Sequence, residues 1–174
     1  MKRYPIGVQD FFHFREDGYC YVDKTERIHD LITTSGKAVF LARPRRFGKS
    51  LLCSTLAAIF EARRELFDGL AIDKTNYDWK KYPVLRIDLN AEDYSKGVSH
   101  LEIPINTSIE LCAKKYAVPF EGQSVTDRFH RLLVNLHNKY NERVVVIIDE
   151  YDKPLLVTMD NPELQAEIRG ALKP

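Results

Sequence analysis

No stretch of this chain reaches the roughly 18 consecutive apolar residues that a membrane-spanning helix needs, so the sequence offers no transmembrane segment. A signal-peptide pattern is missing too, because Met1-Lys2-Arg3 leads straight into Tyr4-Pro5. An excess of charge of one sign is also lacking. The 26 Lys and Arg are offset by 25 Asp and Glu, and a net charge of +1 provides no bulk attraction to DNA or acidic membranes. Cysteine is scarce: Cys20, Cys53 and Cys112 are widely separated and odd in number, which fits neither a disulfide framework nor a zinc site. A reducing compartment suits such usage, and a cytoplasmic location is the expectation. There is no internal repeat and no low-complexity segment. At 174 residues the chain is expected to form one domain or most of one, burying roughly 70% of its unfolded surface.

The most informative feature present is Arg43-Pro44-Arg45-Arg46-Phe47-Gly48-Lys49-Ser50. It follows the apolar run Ala38-Val39-Phe40-Leu41-Ala42 and precedes a helical pattern. Strand, tight loop ending in Gly-Lys-Ser, then helix is the Walker A arrangement that cradles nucleotide phosphates on backbone N–H groups. Lys49 is expected to reach the β and γ phosphates, and the Ser50 hydroxyl to meet Mg²⁺. Arg45, Arg46, Phe47, Gly48 and Leu51 complete the expected cofactor-binding loop. Arg43 stands where the general pattern has its first glycine, so the local string also admits a basic turn before an ordinary helix.

The run Arg143-Val144-Val145-Val146-Ile147-Ile148-Asp149-Glu150 has five successive β-branched residues before two carboxylates. It reads as a strand buried on both faces of a parallel sheet. The acidic pair would emerge at the sheet's carboxyl edge, as in a Walker B motif. Asp149 is the candidate metal ligand, and Glu150 the candidate to orient or deprotonate water. A solvated acidic strand end is the competing reading, weakened because each motif supplies the context the other requires.

Four blocks carry a family resemblance: Tyr4 to Phe11, Tyr19 to Thr25, Arg43 to Ser50, and Asp149 to Leu155. In this order they resemble the bacterial AAA-ATPase-like family. The resemblance implies a P-loop ATPase fold, ATP rather than GTP, and Mg²⁺, and it makes Arg43 a normal member of the loop. It also implies that Lys24 and Asp23 lie near base or ribose, although Asp23 fits a helix-cap role equally. Many members carry a downstream PD-(D/E)XK nuclease-like domain, which is not found within these residues.

Elsewhere, residues 4–24 read as an irregular aromatic arm anchored by Phe11, Phe12, Phe14, Tyr19 and Tyr21. A helix is expected from Thr25 with Ile28, Leu31 and Ile32 inward, ending at Ser35-Gly36. After Ser50, Leu52, Leu56, Ile59 and Phe60 form a stripe expected to pack on the sheet. Val84 to Leu89 alternates as a strand entered from Pro83, with Asp88 near its carboxyl end. Helices are expected from about Pro104 to Tyr116, with Ile105, Ile109, Cys112 and Tyr116 on one stripe, and from an N-cap at Ser124 to about Tyr140. The second stripe comprises Phe129, Leu132, Leu133, Leu136 and Tyr140. A last helix starts at Asn161-Pro162-Glu163, with Leu164 and Ile168 inward.

The expected fold is therefore α/β: residues 1–174 as a P-loop NTPase-like parallel sheet flanked by helices, truncated after the Walker B strand. The related ATPases continue with a sensor strand, for which the 24 residues after Glu150 leave no room. A buried strand of that kind contributes on the order of 10 kcal/mol of burial. Three outcomes follow: strands supplied by another chain, direct pairing of strands 38–42 and 144–148, or exposed edges that invite self-association or a protein partner. The functional expectation is a Mg²⁺-dependent ATP-binding module whose hydrolysis the truncation puts in doubt. One alternative is a non-catalytic interaction or regulatory domain. Another is nucleic-acid binding through Lys80-Lys81, Lys114-Lys115 and the arginines of the loop, which the balanced charge disfavours. His130 and His137 lack a third ligand at zinc spacing.

Overall fold

A computed structural model describes residues 3–36, 38–42, 44, 47–90 and 92–172. The chain divides after Lys81 into two compact units.

In the first unit, α1 (Phe11–Glu16) starts from Asp10, whose carboxylate accepts the N–H groups of Phe12 at 2.9 Å and His13 at 3.4 Å. This helix lies within the segment expected to be irregular, since six residues are too few for a periodic stripe to register. The aromatic anchoring is as expected. Phe11 is fully buried, with its ring 4.7 Å from Phe67 and 5.4 Å from Tyr21, and Phe14 lies 5.8 Å from both Tyr19 and Tyr21. Helix α2 (Thr25–Thr34) matches its predicted bounds, with Ile28 buried and Ser35 at its C-cap.

Helix α3 (Lys49–Phe60) forms where expected but buries a different face. Ser54, Thr55, Ala57, Ala58 and Ile59 are buried, while Leu52, Leu56 and Phe60 are only half-buried. The partners of α3 within this unit are α1 and the 3₁₀ turn Arg64–Phe67. Small side chains permit that close approach, and the Ser54 hydroxyl accepts the Phe11 N–H at 3.0 Å. A further 3₁₀ turn, Ala71–Lys74, supplies Ile72 to a core that also holds Ile28, Ile59, Leu66 and Phe67.

Residues 38–42 depart most from expectation. They form no strand, and Val39 and Phe40 are 53% and 71% exposed. An apolar run becomes a strand only when a neighbouring ladder takes its N–H and C=O groups, and among the described residues the run 38–42 is not part of one. Arg43, Arg45 and Arg46 of the predicted loop lie outside the described residues.

The second unit contains the sheet. Strands β1 (Val84–Asp88) and β2 (Val145–Asp149) pair in parallel, with Val84 opposite Val145 and Asp88 opposite Asp149. Between them in sequence lie α4 (Ser99–Tyr116) and α5 (Val125–Tyr140). Leu85, Ile87 and Leu89 pack with Ile109, Cys112 and Tyr116 of α4 and with Leu132 and Leu136 of α5. Arg86 and Asp88 project from the other face of β1 and are exposed. Among the described residues of this unit, α4 and α5 cover the face that carries Leu85, Ile87 and Leu89.

Helix α4 begins five residues before the expected start, so Pro104 lies inside it. Its first turn is tightened: Leu101 N–H bonds the Val98 carbonyl at 2.9 Å. Buried Leu101 and Pro104 themselves hold that added turn to the core. In α5, Ser124 caps as predicted, accepting the Asp127 N–H at 3.1 Å. Strand β2 was expected to be buried on both faces, but Val146 and Ile148 are 37% and 49% exposed. A strand gains two-sided burial from neighbours on both edges and layers on both faces, whereas β2 has β1 as its partner in a two-stranded sheet. The short α6 (Lys153–Val157) and α7 (Pro162–Ala171) close the unit, with Asn161 capping α7 and Ile168 fully buried. Among the described residues this makes seven α-helices and one parallel two-stranded sheet.

Candidate functional site

The first unit carries the predicted phosphate loop. Gly48 is the N-cap of α3 with φ of 75° and ψ of 26°, a left-handed conformation that glycine adopts without a Cβ penalty. Lys49, Ser50 and Leu51 are the first three helical residues and are half-buried. At this end of the helix, Leu52 N–H donates to the Gly48 carbonyl at 3.0 Å. The N–H groups of Lys49, Ser50 and Leu51 therefore precede the regular ladder. A glycine cap carries no side-chain oxygen to engage them, unlike the Asp and Ser caps of α1 and α5. Phe47, just before the cap, is 64% exposed.

Asp23 is committed structurally. Its Oδ1 accepts the N–H of Thr25 at 2.9 Å and the hydroxyl of Thr25 at 2.7 Å, and its Oδ2 accepts the Ala71 N–H at 2.7 Å. Burial pushes its carboxyl upward, but these donors outweigh that effect and hold it below the ordinary value. Of the two readings for Asp23, tying down the start of α2 is the one the contacts express.

The second unit carries the acidic pair. Asp149 ends β2 and Glu150 follows at φ 52°, left-handed without being glycine. Asp149 Oδ1 accepts the Glu150 N–H at 2.9 Å, and the Glu150 carbonyl accepts the Lys153 N–H at 3.0 Å. Beside them, Asp88 ends β1, and its Oδ1 accepts the Asn90 N–H at 2.8 Å. The ladder continues one step further, from Leu89 N–H to the Asp149 carbonyl at 3.1 Å. Lys153 Nζ donates to the Asn90 carbonyl and, at 3.0 Å, to Asn90 Oδ1. Tyr94 is fully buried, and its hydroxyl donates to the Leu89 carbonyl at 2.7 Å. Burial, with Glu92 and Asp88 adding to it, pushes the Tyr94 pKa up to about 12, so this hydroxyl stays a donor.

Mg²⁺ prefers oxygen ligands and keeps several waters, commonly binding through one or two protein groups plus substrate phosphates. The Ser50 hydroxyl and the Asp149 carboxylate are donors of that type. No cluster of three or more His, Cys, Asp and Glu side chains suited to a metal occurs among the described residues. Sequence reasoning named Asp149 and Glu150 but gave no role to Asn90 or Lys153. The signal that could have found them was Lys153 four residues beyond one strand end, with Asn90 two residues beyond the other.

These features define an α/β protein with a glycine-capped Lys-Ser helix and an acidic strand end. The comparisons agree with that class: residues 5–174 match the family described as "Predicted AAA-ATPase", and the chain belongs to this family. It is also 40% identical over 174 residues to an "Uncharacterized protein in vnfD 5'region" from Azotobacter chroococcum mcd 1. That alignment covers 99% of this chain and 33% of the relative, so the chain spans about a third of the relative's length. No solved structure matches the chain. No helix among the described residues is long and apolar enough to cross a membrane.

Proposed function

We propose that this chain is the Mg²⁺-dependent ATP-binding module of a P-loop ATPase. The observation that carries the reading is α3 starting directly after left-handed Gly48, with Lys49 and Ser50 in its first turn, in a member of a predicted AAA-ATPase family. In this reading the N–H groups of Gly48, Lys49, Ser50 and Leu51 receive phosphate oxygens, together with the loop residues Arg45, Arg46 and Phe47. The Lys49 ammonium neutralises phosphate charge. Ser50 and Asp149 hold Mg²⁺, and Glu150 orients or deprotonates the attacking water. Bound Mg²⁺ would supply charge neutralisation on the β and γ phosphates.

The test is a calorimetric titration of ATP, with and without Mg²⁺, against the wild type and Lys49→Ala. Saturable, Mg²⁺-enhanced binding that Lys49→Ala abolishes is the expected result. A cooperatively folded wild type that binds no ATP would sink the reading.

A second reading is favoured by the exposure of Val146 and Ile148 on β2. An apolar strand face left uncovered is a surface on which a protein partner or a second copy can pack. The chain would then serve as an interaction or regulatory domain. ATP binding without measurable turnover, with a sedimentation shift on mixing with the partner or on raising concentration, would favour it.

A further inference from the structure

The carboxyl edge of the sheet contains a backbone conformation that needs an explanation. Glu150 has no glycine's freedom, yet it sits at φ 52°. A non-glycine residue held in a sparsely populated region persists only where its surroundings over-determine it. Hydrogen bonds of two kinds hold this turn. Two are local, between Asp149 Oδ1 and the Glu150 N–H, and between the Glu150 carbonyl and the Lys153 N–H. Others come from the exit of β1, where Leu89 N–H donates to the Asp149 carbonyl and the Lys153 ammonium grips Asn90 through its carbonyl and its side-chain oxygen.

The register makes this bridge effective. Asp88 and Asp149 are paired in the ladder, so the two exit loops leave the sheet side by side. Asn90 is itself held, its N–H donating to Asp88 Oδ1. Lys153 is half-buried and opens α6, so its backbone is anchored as well. The Lys153 side chain thus adds, to the Leu89–Asp149 ladder bond, a second link between the turn that carries Asp149 and Glu150 and the end of the neighbouring strand. Removing the tie leaves the ladder bond from Leu89 N–H to the Asp149 carbonyl in place and takes away the side-chain clasp.

We infer that Lys153 is a positioning residue for the Asp149–Glu150 pair: by bridging to Asn90 it fixes the left-handed Glu150 turn, and with it the direction of the Glu150 carboxylate. The inference rests on the role for Glu150 given above. Small displacements of a group that must orient water lower turnover without lowering nucleotide affinity. Because Lys153 acts on the turn and not on phosphate, its loss affects kcat and leaves the ATP dissociation constant intact.

The experiment compares wild type, Lys153→Met, Lys153→Arg and Asn90→Ala by two readouts. The first is amide hydrogen exchange at Glu150 and Tyr151. The second is ATP affinity alongside steady-state turnover. Lys153→Met is expected to speed exchange at these amides by about tenfold and to lower kcat by about tenfold, with ATP affinity unchanged. Lys153→Arg, which can still donate to Asn90, is expected to recover part of both. Asn90→Ala is expected to move both readouts in the same direction but less, since the backbone carbonyl remains. Unchanged exchange in Lys153→Met would overturn the bridge. Faster exchange with unchanged turnover would overturn the positioning role, as would a loss of ATP affinity in Lys153→Met that Asn90→Ala does not share. A wild type that binds ATP but does not turn it over would defeat the catalytic role of Glu150 and the positioning role with it, while the exchange data would still decide the bridge.

Discussion

Asp88 and Asp149 are paired residues at the carboxyl ends of two parallel strands. Neighbouring strands lie about 4.8 Å apart, so two like charges share one edge of the sheet. Like charges directly opposite one another destabilise a strand pair by about 0.2–1 kcal/mol.

Asp88→Asn is therefore expected to stabilise the protein by about 0.2–1 kcal/mol without added cation, since it removes the repulsion while its side-chain oxygen can still accept the Asn90 N–H. In 10 mM Mg²⁺ with ATP, where Asp149 is proposed to hold the metal, the gain is expected to shrink. Urea unfolding in both conditions measures it. Asp149→Asn should instead remove most of the Mg²⁺ enhancement of ATP affinity. An enhancement that survives the substitution would remove Asp149 from the metal site.

Tyr116→Phe tests the seating of β1 on α4. The buried Val84 N–H donates to the Tyr116 phenol oxygen at 2.9 Å. The substitution keeps the ring and leaves a buried donor without this acceptor. It is expected to cost about 1–3 kcal/mol, read as a lower urea midpoint with an unchanged slope. No loss of stability would mean that another acceptor replaces the phenol.

Gly122→Ala tests a close approach. A Cβ built on Gly122 would lie 2.8 Å from Asp127 Oδ2 and 2.9 Å from the Arg128 backbone nitrogen. The carboxylate can swing away, but the backbone of α5 can move only with the whole first turn. The expected loss is about 1–3 kcal/mol, checked by thermal unfolding. A stability equal to wild type would show that the 121–124 turn relaxes freely.

Asp23 gives a pH dependence whose sign is set by its lowered carboxyl. Its stabilising effect is complete above the ordinary value of 3.8 and fades as pH falls through its lower folded value. Asp23→Ala should thus be less stable than wild type at about pH 7, with the gap narrowing below about pH 4. Chemical unfolding at several pH values provides the comparison. A gap that is constant across that range would mean that shape, and not charge, makes the residue matter.

Local patterns were legible wherever one element's own residues decide the outcome. The bounds of α2, the Ser124 cap of α5, the Asn161 start of α7 and the inward stripe of Leu132 and Leu136 all follow from periodicity and capping chemistry. The helix start at Lys49-Ser50 after Gly48 was legible for the same reason, while the left-handed conformation of Gly48 was not read from the sequence. Features that depend on distant partners were not. The run 38–42 has a strand's composition, but a strand needs a ladder. Val146 and Ile148 have core composition, but burial requires a layer to cover them. The buried face of α3 follows the small residues that let α1 approach, where hydrophobicity alone would have chosen Leu52 and Leu56.

By itself the sequence determined where the candidate site residues stand: a lysine and a serine after a glycine, and two carboxylates after an apolar run. It did so because helix caps, strand alternation and residue chemistry are encoded within a few neighbours along the chain. Tertiary structure alone decided that Asp88 stands beside Asp149, that Lys153 reaches back to Asn90, and that Asp23 accepts the Ala71 N–H. Strand register and side-chain reach join residues dozens of positions apart, and only the folded packing of the chain selects which of them meet.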